Sequence, residues 1–427
     1  MTKTIAIVGA GLAGLTCAKV LQENGCNDFV LLEQSDRAGG RVRTDEVNGF
    51  QLDRGFQVLF SAYPAVRRHL DLEALELCNY SPGAVLVRGD RHYPIGDPLR
   101  APATLLESLA NPLLTLGDKA RILTLRAQLF ASSIEAIWQQ PDLSTLDFLQ
   151  QWGFSPQILQ HFFYPFYSGI FLDPELKTSA RLFQFYFKML SEGAIATPKR
   201  GMGAISDQLA SHLASGQLRC NATVERIAIE GERVTGVQLR DGSTLAAEFV
   251  VCATEATAAA RLVPRLNGDR PIPTTPRAVT CLYFSTPISA HAETAIHLNS
   301  AKTPETAIHH CIQLSNVSPA LTPVGQHLLS VTVLGNPPST PDRLAERCRQ
   351  ELLDWFPHLD GDRLSYLRQY RIPFAQFDQP PGLHDRLPSP RSAMAGLVLA
   401  GEYTCQSSIE GAMQSGDRAA NSLLEQL

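Results

Sequence analysis

Charge is scarce in this chain. Asp, Glu, Lys and Arg make up only 19% of its 427 residues, and the formal net charge is −5. There is no basic excess, which argues against nucleic acid as a partner. No run of about 18 apolar residues occurs, so no segment is expected to span a membrane. The nine cysteines (Cys17, Cys26, Cys78, Cys220, Cys252, Cys281, Cys311, Cys348 and Cys405) are odd in number and scattered, and contain no C-x-x-C. They read as free thiols in a reducing compartment. The first strand begins within five residues of Met1, which leaves no room for a signal peptide and predicts a cytoplasmic location. A nucleophile elbow, a P-loop, zinc spacing, internal repeats and low-complexity tracts are all missing. His309-His310-Cys311 lacks ligand spacing, and strand neighbours point to opposite faces, so no metal is expected.

What is present gathers in the first 41 residues. Lys3–Val8 reads as a buried strand, rich in apolar and β-branched residues. Gly9, Gly11 and Gly14 then form G-x-G-x-x-G, and Leu15, Ala18 and Leu21 recur at helical spacing. Phe29–Leu32 is a second strand ending at Glu33. In this context Gly9 permits a tight turn, Gly11 lets a pyrophosphate approach the backbone, and Gly14 allows the helix to pack on the sheet. The free amides of the helix start face the phosphates. Glu33 lies where a carboxylate accepts ribose hydroxyls, and it would repel a 2′-phosphate. A single fingerprint argues against a second tight dinucleotide site.

The motif alone does not separate NAD from FAD. Asp36-Arg37-Ala38-Gly39-Gly40-Arg41, however, resembles the R-x-G-G-R segment of the flavin amine oxidase, carotenoid (phytoene) desaturase and protoporphyrinogen oxidase superfamily. Near the C-terminus, Gly401-Glu402 followed by Ser407-Ser408-Ile409-Glu410-Gly411-Ala412-Met413-Gln414-Ser415-Gly416 resembles the same superfamily's G-[DE] and S-x-E-G-A-x-x-S-G helix start. The resemblance implies noncovalent FAD. It places Gly39, Gly40 and Arg41 at the pyrophosphate, with Ala13, Glu33 and Gln34 in the nucleotide site. Gly55 and Phe56, within Leu52-Asp53-Arg54-Gly55-Phe56-Gln57, would line the flavin ring, and the Val224 backbone would face adenine. Glu402 would contact the ribityl chain or pyrophosphate. The helix start at Ser408 and Ile409 would lie near the flavin N1–C2=O2 edge, where its dipole stabilises the negative charge of reduced flavin.

A chain of this length exceeds one core. The fold class expected is α/β: a Rossmann-like FAD-binding domain over 1–60, 200–263 and 395–427, interleaved with a substrate domain over 61–199 and 264–394. The first substrate segment reads as helical, with helices over Leu105–Leu109, Lys119–Phe130 (capped by Asp118), Asp147–Trp152 and Pro156–Phe163. Its aromatic stretches, His161–Pro174 and Leu182–Leu190, fit either plain core or the wall of an apolar tunnel. In the nucleotide-domain segment, Gly201-Met202-Gly203 precedes a helix over Ile205–Leu213, then strands over Thr223–Ile229, Val234–Arg240 and Phe249–Cys252. The second substrate segment follows a Pro-rich linker, Pro264–Pro276. It reads as an antiparallel sheet built from Val279–Phe284, His309–Leu314 and Leu328–Leu334, covered by a helix over Leu344–Trp355. Gly396–Tyr403 reads as the last strand.

Amine oxidases of the superfamily typically carry a lysine in the strand near flavin N5. The matching position here is Cys281, and Tyr403 is the one candidate for the aromatic pair that often flanks the flavin. With Gln57 these are the flavin-proximal candidates, and no catalytic residue is assigned. The resemblance and the missing lysine together point to hydride transfer from a C–H bond of an apolar, isoprenoid- or tetrapyrrole-like substrate to flavin N5, with oxygen or a quinone as acceptor. An amine oxidase remains open, as does a flavin-binding isomerase or carrier without net redox turnover. Leu105–Phe130, rich in Leu with Lys119, Arg121 and Arg126, allows peripheral membrane contact or simple packing on its own domain.

Overall fold

Ile5–Val8 (β1), Leu12–Glu23 (α1) and Phe29–Leu32 (β2) form the expected strand, helix and strand. The computed structural model describes residues 4–97, 100, 111–263, 270–301 and 306–427. The helix expected over Leu105–Leu109 and the first half of the Pro264–Pro276 linker lie outside these residues.

All residues of β1 are buried, because both faces of the sheet are covered. That sheet is parallel, in the order Leu218–Arg219, β2, β1, Phe249–Cys252, Leu397–Leu399. Three distant segments thus meet in one register: Val8 lies between Leu32 and Cys252, and Cys252 pairs with Leu399. The last strand is shorter than expected, since Glu402–Thr404 turns into a 3₁₀ helix. The closing helix, Ile409–Leu424, lies against α1 so closely that a Cβ on Gly416 would sit 2.2 Å from the Ala13 carbonyl oxygen. Gly416 is therefore needed for helix-on-helix packing, rather than for packing on the sheet or cofactor.

The second sheet has seven strands, ordered Ser365–Phe377, Pro276–Thr286, His327–Leu334, His310–Gln313, Ile296–Asn299, Gly83–Arg88, Arg91–Gly96. It is antiparallel except where Ile296–Asn299 runs alongside Gly83–Arg88. The first substrate segment is thus not purely helical. Its hairpin at residues 83–96 extends the sheet of the second segment, a pairing between distant stretches that no local pattern announces. Pro341–Trp355 covers one face, with Leu344, Ala345, Cys348 and Leu352 buried.

Other elements follow the residue patterns with shifted ends. Leu116–Ala131 is capped by Thr115, whose Oγ1 accepts from the Asp118 amide, so Asp118 is the third helical residue and not the cap. Thr145–Gln151 and Gly203–Ala210 are capped or begun slightly earlier than expected. Asp241-Gly242 turns from Arg233–Leu239 into a short strand, Thr244–Ala246, that the sequence reading passes over. Pro156–Phe171 is helical throughout, but Leu159–Phe163 widens to a π turn just before Pro165. A proline has no N–H to donate and crowds the preceding turn, which this widening relieves. The aromatic stretch divides. Phe163, Tyr167 and Phe183 are core, with Tyr167 and Phe183 ring centroids 4.7 Å apart. Phe162 and Phe166 stack at 5.5 Å and pack on the second sheet beside Leu86 and Leu298.

Candidate functional site

The site is built first from the end of β1. Gly11 caps α1 in extended conformation, and no side chain caps the helix. Its first amides therefore lack a side-chain acceptor, the arrangement that suits an anion. A Cβ on Gly11 would meet nothing within 4 Å, so open space lies at the turn. The Gly39–Arg41 loop sits alongside it: Gly39 N–H donates to the Ala10 carbonyl at 2.8 Å, and a Cβ on Gly40 would lie 3.3 Å from Gly11 Cα. Glu33 is buried at the tip of β2. Its Oε2 accepts from the Ala10 amide at 2.9 Å, and its Oε1 from the Ser35 amide and hydroxyl at 2.9 and 2.8 Å. These bonds aim the carboxylate at the glycine turn, while Gln34 beside it is exposed.

Arg41 joins this region to the C-terminal segment. Its Nη2 is 2.7 Å from Glu402 Oε1, and its Nη1 donates to the Ala375 carbonyl at 2.7 Å. Glu402 Oε2 accepts from the Ser407 hydroxyl at 2.9 Å. Ser408 caps the closing helix by accepting from the Gly411 amide at 2.9 Å, and Ile409 is the first helical residue. Gln57 Nε2 donates to the Arg41 carbonyl at 3.1 Å, whereas its buried Oε1 has no partner among the described residues. A cleft of about 400 Å³ opens at Gly40 and Arg41 and continues along Arg54, Tyr370 and Ile372.

Beyond the loop, the second sheet presents a cross-strand row: Tyr370, Cys281, Thr332 and His310 are neighbours in register. Paired residues of an antiparallel sheet share a face. Phe56 touches this face, its ring centroid 4.9 Å from that of His310 and 6.4 Å from Tyr80. A Cβ on Gly55 would lie 3.0 Å from Ile372 Cδ1, so the backbone there runs close to the sheet. Cys281 is fully buried with Sγ 3.4 Å from Ser330 Oγ, and burial pushes its thiol up to about 11. Burial likewise drives His310 down to about 3, which keeps the imidazole neutral. His310 Nε2 and Thr332 Oγ1 are buried without partners among the described residues.

His309 and His310 do not point to opposite faces as the strand reading expects. Strand pairing begins at His310, and the two Nδ1 atoms approach to 2.9 Å. Ser168 Oγ contacts His309 Nε2 at 2.8 Å, which completes a chain of hydroxyl and two imidazoles. His310, Thr332 and Ser168 were not singled out as site residues from the sequence, because only the strand register brings them together. Tyr403 is placed in the core, with its hydroxyl donating to the Cys252 carbonyl at 3.0 Å. Val224 opens the strand Val224–Glu230 and packs against the cluster of Val8 and Leu32. Ala13 is buried on α1.

A family model described as flavin containing amine oxidoreductase matches residues 12–424. The chain is 23% identical to a 15-cis-phytoene desaturase of Synechococcus elongatus over 483 aligned residues, covering 98% of this chain and 95% of that one. The fold matches that of an oxidoreductase from Methanosarcina mazei with a TM-score of 0.73 at 17% identity, covering 99% of this chain and all of the other. It also matches putrescine oxidase bound to putrescine with a TM-score of 0.70 at 15% identity, over 100% and 99% of the two chains.

Proposed function

We propose, on the premise that this chain belongs to the flavin containing amine oxidoreductase family, that it oxidises a C–H bond of an apolar, isoprenoid- or tetrapyrrole-like substrate. The protein is an FAD-dependent oxidoreductase. Its residues fit FAD on observations of their own: an uncapped helix start, open space at Gly11, a buried oriented carboxylate at Glu33, and a buried amide oxygen on Gln57 that lacks a partner among the described residues. We take the cofactor to be noncovalent, with Gly9, Gly11, Gly14, Gly39, Gly40 and Arg41 around its pyrophosphate and Glu33 at its ribose. Bound FAD supplies a hydride acceptor, later reoxidised by a quinone or oxygen.

The observation that carries the substrate reading is the row Cys281, Thr332 and His310. It holds a neutral thiol, a hydroxyl and a neutral imidazole, and none of the described lysines lies on it. Around it Phe50, Leu52, Tyr80, Tyr283 and Ile312 are buried. Such a face excludes water and suits an apolar chain or ring. His310 Nε2 has no partner among the described residues, and the ring is held through His309 and Ser168. The relative that is a phytoene desaturase supports an apolar substrate; the likeness to putrescine oxidase extends to the fold.

Anaerobic mixing tests the reading. Bleaching of the flavin absorbance by an isoprenoid or a porphyrinogen is expected. Bleaching by primary amines alone would return amine oxidation to first place. No bleaching by either class, with an isomerised product, would favour a non-redox role.

A second reading is peripheral membrane contact, favoured by one observation. Leu116, Leu123 and Phe130 recur every seven residues on the helix Leu116–Ala131 and are 71%, 45% and 68% exposed. The basic residues contribute less than their number suggests, since Arg126 turns inward to pair with Asp97 and only Arg121 is largely exposed. No helix among the described residues is long and apolar enough to cross a membrane.

A further inference from the structure

On the helix-covered face of the second sheet, away from the row just described, three histidines crowd against Phe356. Its ring centroid lies 5.3 Å from that of His92, 5.4 Å from His297 and 5.7 Å from His291. The His291 and His297 rings are only 4.0 Å apart. His297, on the strand Ile296–Asn299, is 1% exposed, and the His291 side chain 5%. None of their four ring nitrogens has a hydrogen-bond partner among the described residues. The nearest charge is Glu293, whose Oε2 lies 3.3 Å from His291 Nδ1.

Apart from that Glu293 contact, the buried ring nitrogens of His291 and His297 lack a well-aligned hydrogen bond among the described residues, and polar groups left so in a native fold call for a ligand. We infer that His291, Glu293 and His297 bind a divalent transition metal of the zinc class, at a site separate from the flavin.

Four arguments support this. One ligand atom from each of the three residues falls within 4.8 Å of the others, so modest side-chain rotation brings all three to a common ion. Two imidazole nitrogens and one carboxylate oxygen are a donor set that zinc takes, with a fourth position for water or another ligand. The segment is also held in advance. Asn316 Nδ2 donates to the carbonyls of both His291 and Glu293, at 2.8 and 3.1 Å, and Ser289 Oγ donates to the His291 carbonyl at 2.7 Å. These bonds fix the backbone of two ligands, as outer-shell groups do in metal sites. Finally, His92 stands beside His297 with its ring centroid 5.4 Å away. Its Nε2 is 2.9 Å from the Trp355 carbonyl, which can only accept, so Nε2 donates there and Nδ1 is the ring nitrogen left on the other side.

An ion here would clip the turn that carries His291 and Glu293 to the strand Ile296–Asn299. The sequence reading found no metal spacing because His-x-Glu-x₃-His matches none of the familiar patterns and runs through a turn into a strand.

The test uses untagged, flavin-loaded protein stripped with a chelator and titrated with Co²⁺ and then Zn²⁺. One equivalent of Co²⁺ with the visible bands of low coordination number, displaced by Zn²⁺, is expected. Glu293→Gln should weaken Zn²⁺ binding about tenfold or more, and His291→Ala with His297→Ala should abolish it. Glu293 is more than half exposed, so its replacement leaves the core intact, and the flavin spectrum reports folding in every variant. If the histidine variants do not fold, the Glu293→Gln titration decides alone. Absence of stoichiometric binding in the unmodified protein overturns the inference, as does affinity undiminished in Glu293→Gln.

Discussion

Arg41 Nη2 and Glu402 Oε1 lie 2.7 Å apart and tie the Gly39–Arg41 loop to the 3₁₀ turn Glu402–Thr404. Glu402 is buried, and among the described residues its carboxylate is bound by Arg41 and the Ser407 hydroxyl. Removing the cation leaves the buried Glu402 charge with little compensation; because Arg41 itself is about one third exposed, the cost is on the order of 1–3 kcal/mol, below that of a fully buried pair. Arg41→Ala should therefore lower stability more than Glu402→Gln, which removes the buried charge itself and leaves only the partly exposed Arg41 cation. Both should weaken flavin retention. Thermal melts of apo and flavin-loaded variants check this; equal melting of the two variants would contradict it.

Gly11 and Gly14 make opposite predictions within one turn. A Cβ at position 14 would sit 2.0 Å from the Gly9 carbonyl oxygen, whereas one at position 11 would meet nothing within 4 Å. Gly14→Ala should destabilise the apoprotein by about 3 kcal/mol or more, because backbone must move. Gly11→Ala should leave apoprotein stability within about 1 kcal/mol yet weaken flavin binding roughly tenfold, about 1.4 kcal/mol. Urea unfolding of apoprotein and flavin titration separate the two. Normal flavin affinity in Gly11→Ala would remove the pyrophosphate from this turn.

Glu410 supplies a pH dependence. Burial pushes its carboxyl up to about 7 from an ordinary 4.5, despite bonds from the Ala65 amide to both of its oxygens. The unfolded chain then loses this proton at lower pH than the folded one. Its stabilising contribution is complete below about pH 4.5, declines as pH rises to about 7, and stays lost above, an effect on the order of 3 kcal/mol. Glu410→Gln should erase that decline. Urea midpoints measured from pH 5 to 8 should converge on, or cross, those of the unmodified protein as pH rises; parallel curves would sink the argument.

Cys281 bears on the electron acceptor. A neutral thiol offers no cation to stabilise charge developing on oxygen. Reduced flavin should react slowly with oxygen and faster with a soluble quinone, and Cys281→Lys should raise the oxygen rate. Stopped-flow mixing of photoreduced protein with each acceptor measures this. Rapid oxygen consumption by the unmodified protein would reject it, and an unchanged rate in Cys281→Lys would mean that this residue does not stand where the lysine does.

The exposed stripe on the helix Leu116–Ala131 predicts flotation with anionic liposomes at low salt. Replacing Leu116 and Phe130 together by Glu should abolish flotation without altering the melting temperature, since both side chains are largely exposed. Protein that stays at the bottom of the gradient in its unmodified form ends the membrane reading.

The nucleotide end was legible because its chemistry is local. Gly9, Gly11, Gly14 and Glu33 follow from the geometry of one strand, turn and helix. The segment from Arg37 to Arg41 and the helix start at Ser408 were read from their resemblance to a family pattern. Elsewhere, pattern located elements but not partners. Phe29–Leu32 and Phe249–Cys252 read as strands, yet their order around β1 is decided by burial on both sheet faces. The hairpin at residues 83–96 had no local sign of joining a sheet assembled some two hundred residues later. Tyr403 reads as a candidate flanking aromatic; the structure adds that it is buried, with its hydroxyl on the Cys252 carbonyl, a contact no local pattern announces. The row of Cys281, Thr332 and His310 depends on the register of strands distant in sequence. His291, Glu293 and His297 are near in sequence, but only the turn before Ile296–Asn299 folds their side chains together. Neither arrangement carries a periodicity along the chain, so tertiary structure alone could decide them.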